Sequence, residues 1–274
     1  MGEQAANQIG APSWATQPFS DLTESVEHLG QLLNMSIRGI TLFRAIPQMV
    51  TAVAKAKGRE EHQDTAKELA DAEIAAAFAL RETETGFPVL HAHAALSVWS
   101  QLEAAVRLFL ARWLEHEKSA LDVEAVQRLK VKIGEYERLQ GEDRYFYIVD
   151  RLEQETVAPL KSGIGRFEVI LEPFGLSGKV EADIQRDLFE LNQVRSCQLH
   201  RAGRADRRFV DACPWLGLEV GQRLNVTSEA TRRYINAVLL YATELVCRIG
   251  ERFGVDMADS RFDSSAVHPS GSAS

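Results

Sequence analysis

The chain has 274 residues, 45% of them apolar and 26% charged, with a formal charge of −8. That apolar share supports a sizeable core, and Gly and Pro together occupy only 26 positions, so neither a disordered nor a fibrous chain fits. The acidic balance excludes a protein that coats nucleic acid through its whole surface, because such binding needs phosphates neutralised by Lys and Arg.

No apolar run approaches the roughly 20 residues that cross a bilayer, and Met1 to Gln17 lacks a basic start followed by an apolar stretch. The expectation is a soluble, cytoplasmic protein with no membrane contact. Cys197, Cys213 and Cys247 are odd in number and far apart, without metal-ligand spacing, which reads as reduced, mostly structural thiols.

Residues 1–19, rich in Ala, Gln, Gly and Pro, and residues 258–274, rich in Ser and Ala, read as disordered tails. Between them the apolar periodicity is helical almost throughout, so the expected fold is all-α. Residues 20–88 form an N-terminal helical region. It opens at Ser20 with Leu22, Val26, Leu29, Leu32 and Leu33, continues through Ile37 to Val53 with a kink or break at Pro47, and ends in a helix from Glu60 to Arg81. Gly86 and Pro88 break it there.

Residues 89–257 form the second unit. Val89 to Lys118 carries Leu96, Trp99, Leu102, Ala105, Val106, Phe109, Leu110 and Trp113 at steps of three and four, the pattern of a central core helix. Glu103 lies beside that stripe, either at a flank in water or paired with an arginine of a later segment. Residues 121–140 read as a charged amphipathic helix, and Tyr145 to Leu160 as another, ended by Pro159 and Gly163. Phe167 to Leu171 suits a strand or the end of a helix. From Val180 a helix buries Ile184, Leu188, Leu191, Val194 and Leu199 and stops at Gly203. Phe209 to Asn225 is a connector that could hold a small hairpin near residues 215–227. Ser228 caps a last helix through Tyr234, Val238, Tyr241, Leu245 and Ile249.

The chemistry concentrates between Arg195 and Arg208. Five arginines (Arg195, Arg201, Arg204, Arg207 and Arg208) stand there against one acid, Asp206, which reverses the sign of the rest of the chain. A guanidinium fixes a phosphate through two parallel hydrogen bonds, and an imidazole near neutrality moves a proton to or from oxygen. His200 could equally be a helix-terminal histidine favoured by the macrodipole, and Arg195 an ion-pair partner of Glu190 or Glu103. Cys197 reads as a small packing residue. His91 and His93, two apart on a helix, point away from each other and make a poor metal pair.

Arg195-Ser-Cys-Gln-Leu-His200 resembles the R-x4-6-H signature of HEPN proteins, set as there in the C-terminal part of a helix. The continuation through Gly203, Asp206, Phe209, Pro214 and Gly221, and the upstream Leu102-Glu103 and Phe109-Leu110-Ala-Arg-Trp113-Leu, are similar to that family too. The likeness covers roughly residues 90–254 and departs at Ser196, where the family often has Asn. It implies a HEPN-like helical bundle and a metal-independent endoribonuclease of a toxin or defence kind, in which the RNA 2′-OH attacks the adjacent phosphorus. In that scheme Arg195 and His200 are catalytic, and Ser196 and Glu103 support them. Arg201, Arg204, Arg207 and Arg208 contact RNA or phosphate. No cofactor and no metal is needed, the active unit is a homodimer, and an antitoxin or a nucleotidyltransferase is a possible partner. The alternative is a non-catalytic HEPN module that binds RNA, a nucleotide or a protein through the same basic surface.

Overall fold

Helix α4, Pro88–His116, is the axis about which the other helices pack, because its apolar residues run along more than one face. Trp99, Leu102, Val106, Phe109, Leu110 and Leu114 are all buried, and each such side chain removed from water contributes on the order of 1.5–3 kcal/mol. The computed structural model describes residues 11–156 and 163–255. Among these there is no strand, and the protein is all-α. The C-terminal tail, residues 1–10 and the helix end expected at Pro159 lie outside the described residues.

The first helix, α1 (Ser13–Leu42), starts inside the stretch expected to be a tail. Ala15, Phe19, Leu22 and Val26 recur on one face and bury against α4, and the ring of Trp14 packs on Trp113, His116 and Phe253. The apolar spacing therefore outweighs Pro18, which lies within the helix. A 3-10 turn at Phe43–Ala45 leads into α2 (Ile46–Ala56), so the break expected at Pro47 falls just before it, with the proline in the first turn. The next helix, α3 (Gln63–Thr85), packs back on α2.

The single helix expected over 121–140 is not formed. Two short helices, α5 (Glu124–Gln127) and α6 (Ile133–Tyr136), stand there after a 3-10 stretch. The backbone N–H of Lys130 donates to Glu155 and that of Lys132 to the Tyr147 hydroxyl. Both acceptors belong to α7 (Glu142–Thr156), so side chains take donors that a continuous helix would have used internally.

Phe167 to Leu171 belongs to a short helix, α8 (Gly165–Leu171), and Phe167 stacks on Trp99 at 5.6 Å. The helix bearing the motif, α9 (Ala182–Arg201), buries Ile184, Leu188, Leu191 and Val194 as expected. Leu199 does not follow them: it is 55% exposed. Five residues past Val194 a side chain has turned by about 140°, and Cys197 takes the inward place. After α10 (Arg207–Ala212) the connector forms no hairpin, only an isolated antiparallel bridge between Arg204 and Arg223. The last helix, α11 (Ser228–Arg252), is capped by Thr227 rather than Ser228, with the Thr227 hydroxyl accepting from the Ala230 N–H. Helices α1, α7, α9 and α11 enclose α4.

Candidate functional site

The end of α9 decides where the basic segment points. Ala202 and Gly203 both adopt left-handed backbone, at φ +50° and +73°, and the Gly203 N–H donates to the Cys197 carbonyl. This closes the helix in the manner of a C-terminal cap. The chain then runs beside the connector. The Leu224 N–H donates to the Gly203 carbonyl at 2.7 Å, that of Ala205 to Gln222 and that of Gly221 to Ala205. Asp206 is fixed at the end of this pairing, where its carboxylate accepts from the Phe209 N–H at 2.9 Å and from Arg201 Nε at 3.0 Å. The first of these bonds, more than the arginine, holds the Asp206 carboxyl below the usual carboxylate range.

His200, Ser196, Arg201 and Arg208 line one open cavity of about 250 Å³, together with Gln193, Cys197, Asp206 and Phe209. Two guanidinium groups against one carboxylate leave it with a positive excess before His200 is protonated. Cys197 serves as wall, since burial pushes its thiol pKa up and away from a nucleophilic thiolate.

Arg195 does not line that cavity. Five residues before His200 it leaves α9 on another side, and its Nη2 lies 3.5 Å from Glu103 Oε2 on α4. Glu103 Oε1 lies 3.0 Å from Arg166 of α8, which approaches Glu153 of α7 at 3.6 Å. Glu153 in turn faces Arg107, and Arg107 pairs with Asp150. Three arginines and three carboxylates thus alternate across four helices. Burial pushes the Glu153 carboxyl pKa up, against the pull of Arg107 and Arg166.

Of the residues the sequence singles out, then, His200, Ser196, Arg201 and Arg208 come together, and Arg195 and Glu103 form a separate pair. Arg204 turns to the Gly221 carbonyl at 3.2 Å, and Arg207 is exposed outside the cavity. Glu190 does not pair with Arg195. Wholly buried, it accepts from Trp215 Nε1, Arg233 Nη2 at 2.8 Å and the Tyr234 hydroxyl at 2.7 Å. His91 is buried, which lowers its pKa, whereas His93 is exposed, so the two do not face a common ligand.

Sequence reasoning missed Arg107, Asp150, Glu153 and Arg166. The signal was present as spacing: Glu103 and Arg107 are four apart on α4, and Asp150 and Glu153 three apart on α7, the separations at which helical side chains share a face. Phe209 and Gln193 as cavity walls carried no such signal. Comparison with known proteins returned no match: no family model, no curated protein and no solved structure matches the chain.

Proposed function

We propose that the protein is a HEPN-type helical bundle that acts as a metal-independent endoribonuclease, with the His200 cavity as its phosphate site. The observation that carries this reading is the grouping of His200, Ser196, Arg201 and Arg208 around one open, positively biased cavity at the end of α9. In the reaction the RNA 2′-oxygen forms a bond to phosphorus as the bond from phosphorus to the 5′-oxygen breaks, giving a cyclic phosphate and a free 5′-hydroxyl. One proton leaves the 2′-hydroxyl and one reaches the departing oxygen. His200 is the proton carrier, Arg201 and Arg208 hold the phosphate oxygens, and Ser196 orients the imidazole or the phosphate.

Arg195 enters the chemistry only if it leaves Glu103, and pairing of two copies of the motif in a homodimer is the arrangement in which that exchange would occur. The second reading, a HEPN module that binds RNA, a nucleotide or a protein without cleaving, is favoured by that same ion pair, which keeps Arg195 apart from His200 in one chain. An antitoxin or nucleotidyltransferase partner would suit either reading.

The deciding experiment incubates the purified protein with total RNA in EDTA beside His200→Ala and Arg208→Ala, each checked for unchanged helicity. Cleavage by the wild type that His200→Ala abolishes supports the nuclease. Absence of cleavage by well-folded wild type, with RNA retained and released by Arg208→Ala, assigns the cavity to binding alone.

A further inference from the structure

Between Leu29 and Ala92 no described side chain joins the hydrophobic core. Helix α1, about 45 Å long at 1.5 Å per residue, is buried only along its first half, from Ala15 to Val26. Its second half, α2 and α3 form an arm whose inner contacts are small: Ala54, Ala72 and Ala79 are buried there. Leu33, Ile37, Ile40, Ile46, Val50 and Leu69 are half-buried, and the other large apolar residues of the arm face outward. Nine of the fifteen exposed large hydrophobics among the described residues lie between Leu32 and Leu80, with Met35 at 69%, Leu42 at 71% and Ile74 at 71% exposure. Scattered exposed apolar residues are ordinary, but a concentration of this kind marks a surface that something covers.

Charge identifies the occupant. Residues 28–59 carry Arg38, Arg44, Lys55, Lys57 and Arg59 and no acid, whereas residues 60–85 carry eight acids against Lys67 and Arg81. Among the described residues none of those five cations takes part in an ion pair, and the acids of α3 pair only through His62 and Asp64. An anionic membrane would meet the basic part and be repelled by the acidic one. A second arm related by a two-fold axis satisfies both at once, because the basic part of each copy lies on the acidic part of the other and an isologous contact repeats every favourable pairing. The area is sufficient. Leu80 stands about 240° round α3 from Ile74, so eight of the nine can share a face; at on the order of 100 Å² each, about half of what a large aromatic side chain buries, they present roughly 800 Å², the size of one partner's share of a standard interface.

We propose that the arm is a self-association element, through which two copies of this chain pair with α1 and α2 of one against α3 of the other. The contact touches none of the residues of the His200 cavity, so it stands whether or not the nuclease reading does, and it is separate from any pairing of two motifs.

The test uses the full chain and four measurements of mass by light scattering across a range of concentrations. One variant reverses the basic part (K55E, K57E, R59E), another the acidic part (E68K, D71K, E73K), at positions that are all exposed. The wild type is expected at twice the mass of the chain, or at four times where the motifs also pair, and each variant alone at half the mass of the wild type. An equimolar mixture of the two is expected to return to twice that mass, since their arms are then complementary again. That recovery also excludes misfolding as the cause of the separate losses. A monomeric wild type, variants that keep the wild-type mass, or a mixture that stays at half of it would overturn the proposal. So would sedimentation of the wild type with phosphatidylserine vesicles that only the first variant loses, which would assign the basic part to a membrane.

Discussion

Replacing Glu103 by Gln keeps the side-chain volume and removes the one negative charge that Arg166 and Arg195 share, at 3.0 and 3.5 Å. At an effective dielectric of about 20, unit charges about 4 Å apart attract by about 4 kcal/mol. Much of that is offset by the desolvation of a carboxylate only 19% exposed. Arg166 keeps Glu153 as a second partner at 3.6 Å, so the larger loss falls on Arg195. The expected cost is about 2 kcal/mol, the size of a hydrogen bond to a charged group, which lowers Tm by roughly 4–8 °C in a chain of this size. A double-mutant cycle isolates the pair: Glu103→Gln, Arg195→Gln and the double variant are unfolded in urea, and a coupling of about 1 kcal/mol between the two positions is expected. Because the pair is half-buried, moderate salt should weaken that coupling only slightly. A coupling of zero would rule out the Glu103–Arg195 pair in solution, and the separation of Arg195 from His200 would then have no energetic basis.

Glu190→Gln should destabilise more, by about 3 kcal/mol, because it strips the charge from a wholly buried carboxylate that takes donors from Trp215, Arg233 and Tyr234; thermal unfolding reads it, and a loss under about 1 kcal/mol would contradict the burial. Asp206→Ala should cost about 1 kcal/mol as a lost helix cap. Since the folded pKa of Asp206 is depressed, its contribution is fully present above the ordinary carboxylate pKa of about 4 and fades as pH falls through the folded value; wild type and variant should therefore converge in stability in strong acid, and a gap that persists there would be inconsistent with the charge. Burial pushes the Cys197 thiol up and that of Cys213 up to about 12, so at pH 8 an aromatic disulfide reagent should modify neither until urea unfolds the chain; rapid labelling in the native protein would show that the inner face of α9, for Cys197, or the end of α10, for Cys213, is open.

Much of the fold was legible because helices declare themselves by the spacing of apolar residues. The stripes of α4, α9 and α11 named Trp99, Leu102, Leu188, Leu191, Tyr234 and Tyr241 as core from spacing alone, and all six are buried. The readings that differ fail where a local rule met a long-range contact. Trp14 and Phe19 look like part of a Pro-containing tail until α4 and Phe253 supply a surface for them. Residues 121–140 look amphipathic, yet Glu155 and Tyr147 capture their backbone donors. The cap at Thr227 in place of Ser228 is a shift of one residue, which spacing does not resolve.

The site was legible as a segment but not as a geometry. A run of Arg and His at the end of a helix fixes which residues are neighbours in sequence, and the helix then distributes them around its axis. Ser196 and His200, four apart, fall on one side and share a cavity with Arg201. Arg195, five from His200, falls on another and meets Glu103. The same segment therefore carries two different environments, one open and basic, the other a half-buried chain of alternating charges running to Asp150. What an arginine at position 195 does depends on whether Glu103 retains it, and that balance, about 2 kcal/mol, is small enough for a phosphate or a second copy of the chain to tip.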